Sequence, residues 1–417
     1  MNLYRLELKR VCKTRMTAIL LAIALVLAVV MAYLPVTFIG WTELDASGNE
    51  VRYTGLKAIR KRQEQQVSGT ITPDVMQEAL EAYQRVYRQH DASSINDIPV
   101  EVFYKELARY QPLVNNAKEA FADPKTGMAP GVMGLTAEDM QNFYSQLPKR
   151  LESVIWLEQS GKPGYEQAQA IAQKKFDAVQ KPFTYSFGVS SDAMDYQTLL
   201  SLLLTLLCAV IAAPVFASDA QTGAQDIQLC TKNGGLRLAA AKLAAAFSIT
   251  GAAYLLCGVV WILVTNALFG WESTKTSVQW LFSVTSLLPY TVGQMEWVML
   301  VANFLIFFAE VAFVLMASVW AKNNLTALSV ALISVVAPLI VYMVVPGSFG
   351  EWLSTLLPAG GIGLSNALLY KMISFDFLYA GRHAFFQADV LLASAPVKIV
   401  LLVGLAAWGY LRKTKVA

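Results

Sequence analysis

The sequence predicts an all-α integral membrane protein: six transmembrane helices, an N-terminal interfacial elbow helix, re-entrant helices ahead of the last span, and an all-helical extracellular domain between spans one and two. Three observations carry this reading. Of 417 residues, 55% are hydrophobic and only 15% charged, a balance foreign to soluble domains of this size. Six apolar runs approach or reach the ~20 residues needed to cross the hydrocarbon layer. Lys and Arg are also unequally shared between the segments that join those runs.

The first run, Thr17 to Ile39, carries no charge and follows Arg5, Lys9, Arg10, Lys13 and Arg15. A secretory signal begins similarly, but this run is longer than a signal's apolar region, and Val30-Met31-Ala32 is a poor cleavage site. It reads as a retained signal anchor. Ahead of it, Leu3, Leu6 and Val11 lie beside a basic face, as in a helix that rests in the membrane interface. Residues 1–39 therefore form the elbow and first span.

Residues 40–195 hold 17 basic and 21 acidic residues, leaving 16 and 9 elsewhere, so this domain is mildly acidic and the membrane part basic. Nothing in that balance points to nucleic acid. Thr72-Pro73-Asp74 reads as an N-cap followed by proline in the first turn, with Met76, Leu80, Tyr83 and Tyr87 on one face. Phe103, Leu107, Tyr110 and Val114 repeat the spacing, with Pro112 expected to bend or end that helix. Thr136-Ala-Glu-Asp opens a helix carrying Met140, Tyr144, Leu147, Leu151 and Val154, and a fourth covers Tyr165 to Val179. The expected result is a helical bundle standing on the membrane, its aromatic residues serving as core.

The other spans are expected near Leu199–Ala217, Leu243–Leu268, Trp297–Trp320, Leu325–Val345 and Pro396–Leu411, within a membrane core at 196–417. Residues 346–395 are too apolar for water and too broken by Pro346, Gly347, Gly350, Pro358, Gly360, Gly361 and Gly363 to span, so short interfacial or re-entrant helices are expected there. In this topology twelve Lys and Arg lie inside (Arg5, Lys9, Arg10, Lys13, Arg15, Lys232, Arg237, Lys242, Lys322, Arg412, Lys413, Lys415) and four in the short outer segments (Lys275, Lys371, Arg382, Lys398). Both termini are accordingly expected in the cytoplasm and residues 40–195 outside the plasma membrane. The cysteines (Cys12, Cys208, Cys230, Cys257) all lie in or beside spans, so no disulfide framework is expected in the outer domain.

Soluble catalytic signatures are missing. Gly161-Lys162-Pro163 lacks the residues of a phosphate-binding loop, so no ATP site of that kind is expected in this chain. His90 and His383 lie far apart without a metal-ligand pattern, and no metal or cofactor is expected. Small residues crowd the third span at Ala241, Ala244, Ala245, Ala246, Gly251, Ala252 and Ala253, as in close helix packing or a subunit seam. Glu310 sits mid-span, where an ionised carboxylate costs about 2.5–3.5 kcal/mol on insertion scales. It lies roughly 18 Å above Lys322, and Lys398 roughly 21 Å above Arg412, so a Glu310–Lys398 pair is expected. The alternative has Lys398 reaching outward and Glu310 protonated or bonded to a neighbour such as Asn303.

The polar hairpin at 218–241, between spans two and three, is the strongest functional signal. A short helix from about Gly223 to Cys230 would offer Ile227 and Leu229 to a partner's groove while Gly234-Gly235 turns the chain back. The alternative is a solvated loop whose basic residues only set topology. Asp219, Gly223, Ile227, Leu229, Thr231-Lys232-Asn233-Gly234-Gly235, Arg237 and Lys242 resemble the first cytoplasmic loop of ABC-2 type permeases, the membrane subunits of ATP-binding-cassette transporters. The elbow, with Glu7-Leu8-Lys9 and Arg10, is similar to the start of such chains. Pro289-Tyr290-Thr291-Val292-Gly293-Gln294 looks like a segment recurrent in firmicute members, and the broken region before the last span also resembles the family. The large insert at 40–195 departs from the shortest members.

The resemblance implies an exporter permease without enzymatic activity of its own, driven by a separate cytosolic ATPase that holds Mg-ATP, and paired with a second copy or a sister permease. The residues it assigns to ATPase coupling are Asp219, Gly223, Ile227, Leu229, Lys232, Arg237 and Lys242. The competing expectation is a sensor or scaffold that transmits signal or force without moving cargo. An enzyme acting on lipid-linked substrates is disfavoured by the lack of clustered acids or histidines at a membrane face.

Overall fold

A computed structural model describes residues 3–45 and 49–414. Met1, Asn2 and Lys415, counted above with the elbow and the inside charges, lie outside the described residues. The protein is mostly helical, with six helices long and apolar enough to cross a membrane: Arg15–Phe38, Ser191–Gln221, Leu236–Phe269, Val292–Trp320, Asn324–Val344 and Gln387–Lys413. It is a multi-pass membrane protein by length and composition of these helices. Each expected run lies within one of them or overruns it by a residue, the helices extending further because polar end residues continue the same hydrogen-bonded backbone beyond the apolar stretch. The elbow is a separate helix, Leu3–Cys12, lying against the third long helix.

The second helix is interrupted at Ala213-Pro214, where proline removes a backbone donor. Ser318 of the fourth helix repairs the break. Its hydroxyl donates to the Ala213 carbonyl at 2.6 Å and accepts from the Phe216 and Ala217 amides, each at 3.1 Å. Such side-chain substitution lets a broken helix persist in an apolar bundle.

The domain that follows the first long helix departs from the all-helical expectation. Gly40–Leu44 and Glu50–Thr54 form an antiparallel hairpin, and Gly69–Thr70 pairs with Thr184–Tyr185. Glu50-Val51-Arg52-Tyr53-Thr54 does alternate, with Val51 and Tyr53 half-buried and their neighbours exposed, but five residues among charges are a faint period-two signal. The predicted helices are present. Pro73–Gln89 is capped by the Thr72 hydroxyl, and Met76, Leu80, Tyr83 and Tyr87 are buried. The run over Phe103, Leu107, Tyr110 and Val114 is broken ahead of Pro112, as that proline suggested: Phe103–Leu107 and Ala108–Tyr110 are irregular turns, and Pro112 stands in the first turn of a new helix, Gln111–Ala120, where a missing N–H costs nothing. Thr136 and Asp139 cap each other, opening Ala137–Gln141 ahead of Phe143–Gln159, and Tyr165–Asp177 is the fourth helix.

Residues 346–395 hold two short helices, Gly347–Leu356 and Leu368–Ile373, and a second correction: a β-hairpin, Phe377–Ala380 with His383–Phe386. It turns at Gly381, whose φ of 62° suits glycine. The last long helix then starts at Gln387 rather than near Pro396, which it contains.

This hairpin is the seat of the large domain. Ala384 N–H donates to Gln167 at 3.1 Å, Tyr379 Oη donates to Gln159 at 2.8 Å, and Lys175 meets Asp389 at 2.9 Å. Trp280, from the loop before the fourth long helix, packs among Phe143, Phe183 and Tyr185. One apolar core therefore runs from the domain into the bundle.

Candidate functional site

On the side of the bundle away from the large domain, the chain between the second and third long helices folds as the predicted short helix, Ala224–Leu229. Gly223 starts it in the left-handed region at φ 72°, a turn that glycine makes without strain. Gly234 closes it, because a Cβ there would lie 1.7 Å from the Gln228 carbonyl oxygen. Gly235 faces no such obstacle, its nearest neighbour being Leu411 at 4.0 Å.

Four elements converge beneath this helix on one carboxylate. Asp219 accepts two bonds from Arg10 Nη1, at 2.9 and 3.0 Å, and one from Lys242 Nζ. Arg10 also donates to the Val215 carbonyl at 3.0 Å and pairs with Glu7 at 2.9 Å. Lys242, its side chain 0% exposed, donates further to Gln228 Oε1 at 3.0 Å and lies 5.4 Å from the Phe216 ring and 5.9 Å from that of Tyr410.

Two acids and two bases thus balance, and every charge has a bonded opposite, the condition under which buried ions are tolerated. The elbow helix, the broken end of the second helix, the hairpin and the third helix are tied as one joint. Sequence reading singled out Asp219, Lys242, Glu7 and Arg10 but placed them in two separate groups; helices far apart in sequence bring them together.

The remaining predicted residues sit on the free surface. Ile227 is 74% exposed, the most exposed of the large apolar side chains in the hairpin, ahead of Leu236 at 55%. Lys232 and Arg237 are exposed, Arg237 donating to Asn233 at 3.3 Å, and Lys9 is exposed on the elbow. Leu229 is half-buried against the chain's own core, facing a groove of ≈580 Å³ with Trp320, Arg412 and Lys413 on its walls. Ile227 is therefore free for a partner, whereas much of Leu229 is already used.

The expected Glu310–Lys398 ion pair does not form. Glu310 accepts from Ser334 on the neighbouring long helix. Lys398 donates to the carbonyls of Thr355 and Leu357, both at 3.0 Å, binding the unsatisfied C-terminal end of Gly347–Leu356. Matching depth put the two residues at one level, but the short helix offered the lysine nearer acceptors.

Sequence reading missed a second polar nest at the domain-side end of the bundle. Glu296, fully buried, accepts from Asn266 at 2.7 Å, and Gln197 donates to its backbone carbonyl at 2.9 Å. Glu296 lies one residue before the expected span start at Trp297, and so reads in sequence as an interfacial charge.

Among the described residues no cluster of three or more His, Cys, Asp or Glu side chains could hold a metal, and all four cysteines are free. No family model, curated protein or solved structure matches the chain.

Proposed function

We propose that this chain is the permease subunit of an ABC-2 type exporter in the plasma membrane, driven by a separate cytosolic ATPase that carries Mg-ATP. The observation that carries the reading is the short helix Ala224–Leu229, which presents Ile227 to solvent while its base is locked by Asp219 and Lys242 to the elbow and two long helices. A push on such a helix reaches the bundle, because a fully paired buried joint resists separation more than a solvated loop does. In this reading the hairpin and both termini face the cytoplasm, the domain at 40–195 stands outside, and a second copy or sister permease completes the pathway. Catalysis belongs to the partner, not to this chain.

The test is purification of the tagged chain from its native membranes, with assay of vanadate-sensitive ATPase activity. A nucleotide-binding subunit is expected to co-purify, and Ile227→Glu to release it while leaving thermal unfolding of the permease unchanged. Absence of an ATPase from the wild-type preparation, together with full function of Ile227→Glu and Lys232→Glu, overturns the proposal. Cargo-stimulated hydrolysis in reconstituted vesicles separates an exporter from a sensor that transmits force alone.

A further inference from the structure

The nest around Glu296 has a distinctive imbalance: both amide nitrogens donate, while one side-chain oxygen of each residue accepts nothing from the protein. Asn266 Nδ2 donates both to Glu296 Oε2 at 2.7 Å and to the Ile262 carbonyl at 2.9 Å, while Gln197 Nε2 donates to the Glu296 carbonyl at 2.9 Å. Turning either amide over would set oxygen against oxygen, so the bonds fix both orientations. Left over are Glu296 Oε1, Asn266 Oδ1 and Gln197 Oε1, all buried and none receiving a hydrogen bond from the protein. The three residues are 0, 1 and 6% exposed.

Their depths agree. Glu296 lies four residues inside its helix, Asn266 three and Gln197 six, which places all three within roughly 9 Å of the domain-side ends. Of the three, Gln197 also borders a cavity of ≈20 Å³ with Ser201, Tyr254 and Asn303, room for about one water-sized guest. Among the described residues no Lys, Arg or His forms an ion pair with Glu296.

We propose that Glu296, Asn266 and Gln197 form a binding site for one monovalent alkali cation, held between the second, third and fourth long helices. Oxygen-only ligands suit a hard cation. One carboxylate with two neutral amide oxygens balances a single positive charge, whereas a divalent ion would leave a buried surplus. Bound there, the ion joins three helices directly beneath the large domain and fixes their spacing. The site is independent of the transporter reading, because it needs only this chain.

The test uses the purified full chain in nanodiscs at pH 8 and constant ionic strength, in sodium, potassium or choline chloride. The unfolding midpoint is expected to rise saturably with sodium or potassium, by roughly 2–4 °C over choline, and equilibrium binding of radioactive sodium or rubidium to approach one ion per chain. Glu296→Gln is expected to abolish both responses, with a midpoint in choline equal to or above that of the wild type because the charge needing compensation is gone. A merely structural carboxylate would instead give a lower midpoint in every salt. Gln197→Met, which removes one ligand and no charge, is expected to weaken binding several-fold. Identical wild-type midpoints in the three salts with no ion bound overturn the proposal and assign neutralisation of Glu296 to a proton; a response to divalent ions alone also overturns it.

Discussion

The joint beneath the hairpin makes a quantitative prediction through Asp219→Ala. The substitution removes the carboxylate that accepts from Arg10 and from Lys242, and the two bases lose unequally. The Arg10 side chain is 37% exposed and keeps both Glu7 and the Val215 carbonyl, so its share is that of a surface pair, about 0.5–1 kcal/mol. The Lys242 side chain is 0% exposed, and removing one member of a buried pair costs about 3–5 kcal/mol. Lys242 retains Gln228 and the two aromatic rings, which favours the lower end, so the expected loss is ~3 kcal/mol.

A double-mutant cycle isolates the term. Lys242→Met alone is expected to destabilise by a similar amount, and the double variant by little more than either single, giving a coupling of about 2–3 kcal/mol. The assay is reversible denaturation in mixed micelles followed by tryptophan fluorescence, with amide exchange of residues 224–235 reporting local loosening. Additivity of the two substitutions within ~0.5 kcal/mol, or an Arg10→Ala effect as large as that of Asp219→Ala, refutes the reasoning.

Three further outcomes follow from particular contacts. Gly234→Ala is expected to destabilise the hairpin by about 1–3 kcal/mol because its Cβ meets backbone, while Gly235→Ala has room for its Cβ; exchange protection of the short helix distinguishes them. Glu119, half-buried in the large domain and bonded to Ser283 at 2.5 Å, has its pKa raised above the usual carboxylate value chiefly by desolvation. The folded state then holds the proton more tightly than the unfolded one, so this group's contribution to stability falls as pH rises through its raised pKa. Glu119→Gln should therefore stabilise the protein at pH 7 and change little at pH 4, measured as unfolding midpoints. Lys398→Met, by uncapping Thr355 and Leu357, is expected to cost about 1–3 kcal/mol and to expose Gly347–Leu356 to proteolysis; an intact segment would show that the carbonyls find other donors.

Much of the large domain was legible because its helices announce themselves: Thr72-Pro73 and the Thr136–Asp139 capping box mark starts, and Met76, Leu80, Tyr83 and Tyr87 mark a buried face. The two β-hairpins were not. Phe377–Phe386 is apolar and aromatic on both sides of its turn, so hydropathy alone reads it as membrane-seeking, whereas its partners are Gln159 and Gln167 of two distant helices. The hairpin at 218–241 could be placed, and its residues nominated, from local chemistry: an acid, glycines and bases between two apolar runs. Their division into buried clamp and exposed tip could not.

What the sequence determined by itself is what depends on near neighbours along the chain. Six apolar runs, the helix caps and the glycine turns follow from side-chain hydropathy and backbone sterics within a few residues. Tertiary structure decided which charges meet. Arg10 and Asp219 are 209 positions apart, and no periodicity encodes their contact. Glu310 and Lys398 share a depth, yet Ser334 and the carbonyls of Thr355 and Leu357 took their polar groups instead. In an apolar bundle each buried polar atom bonds with whatever partner the packing brings within about 3 Å, and packing is a property of the assembled helices rather than of any one of them.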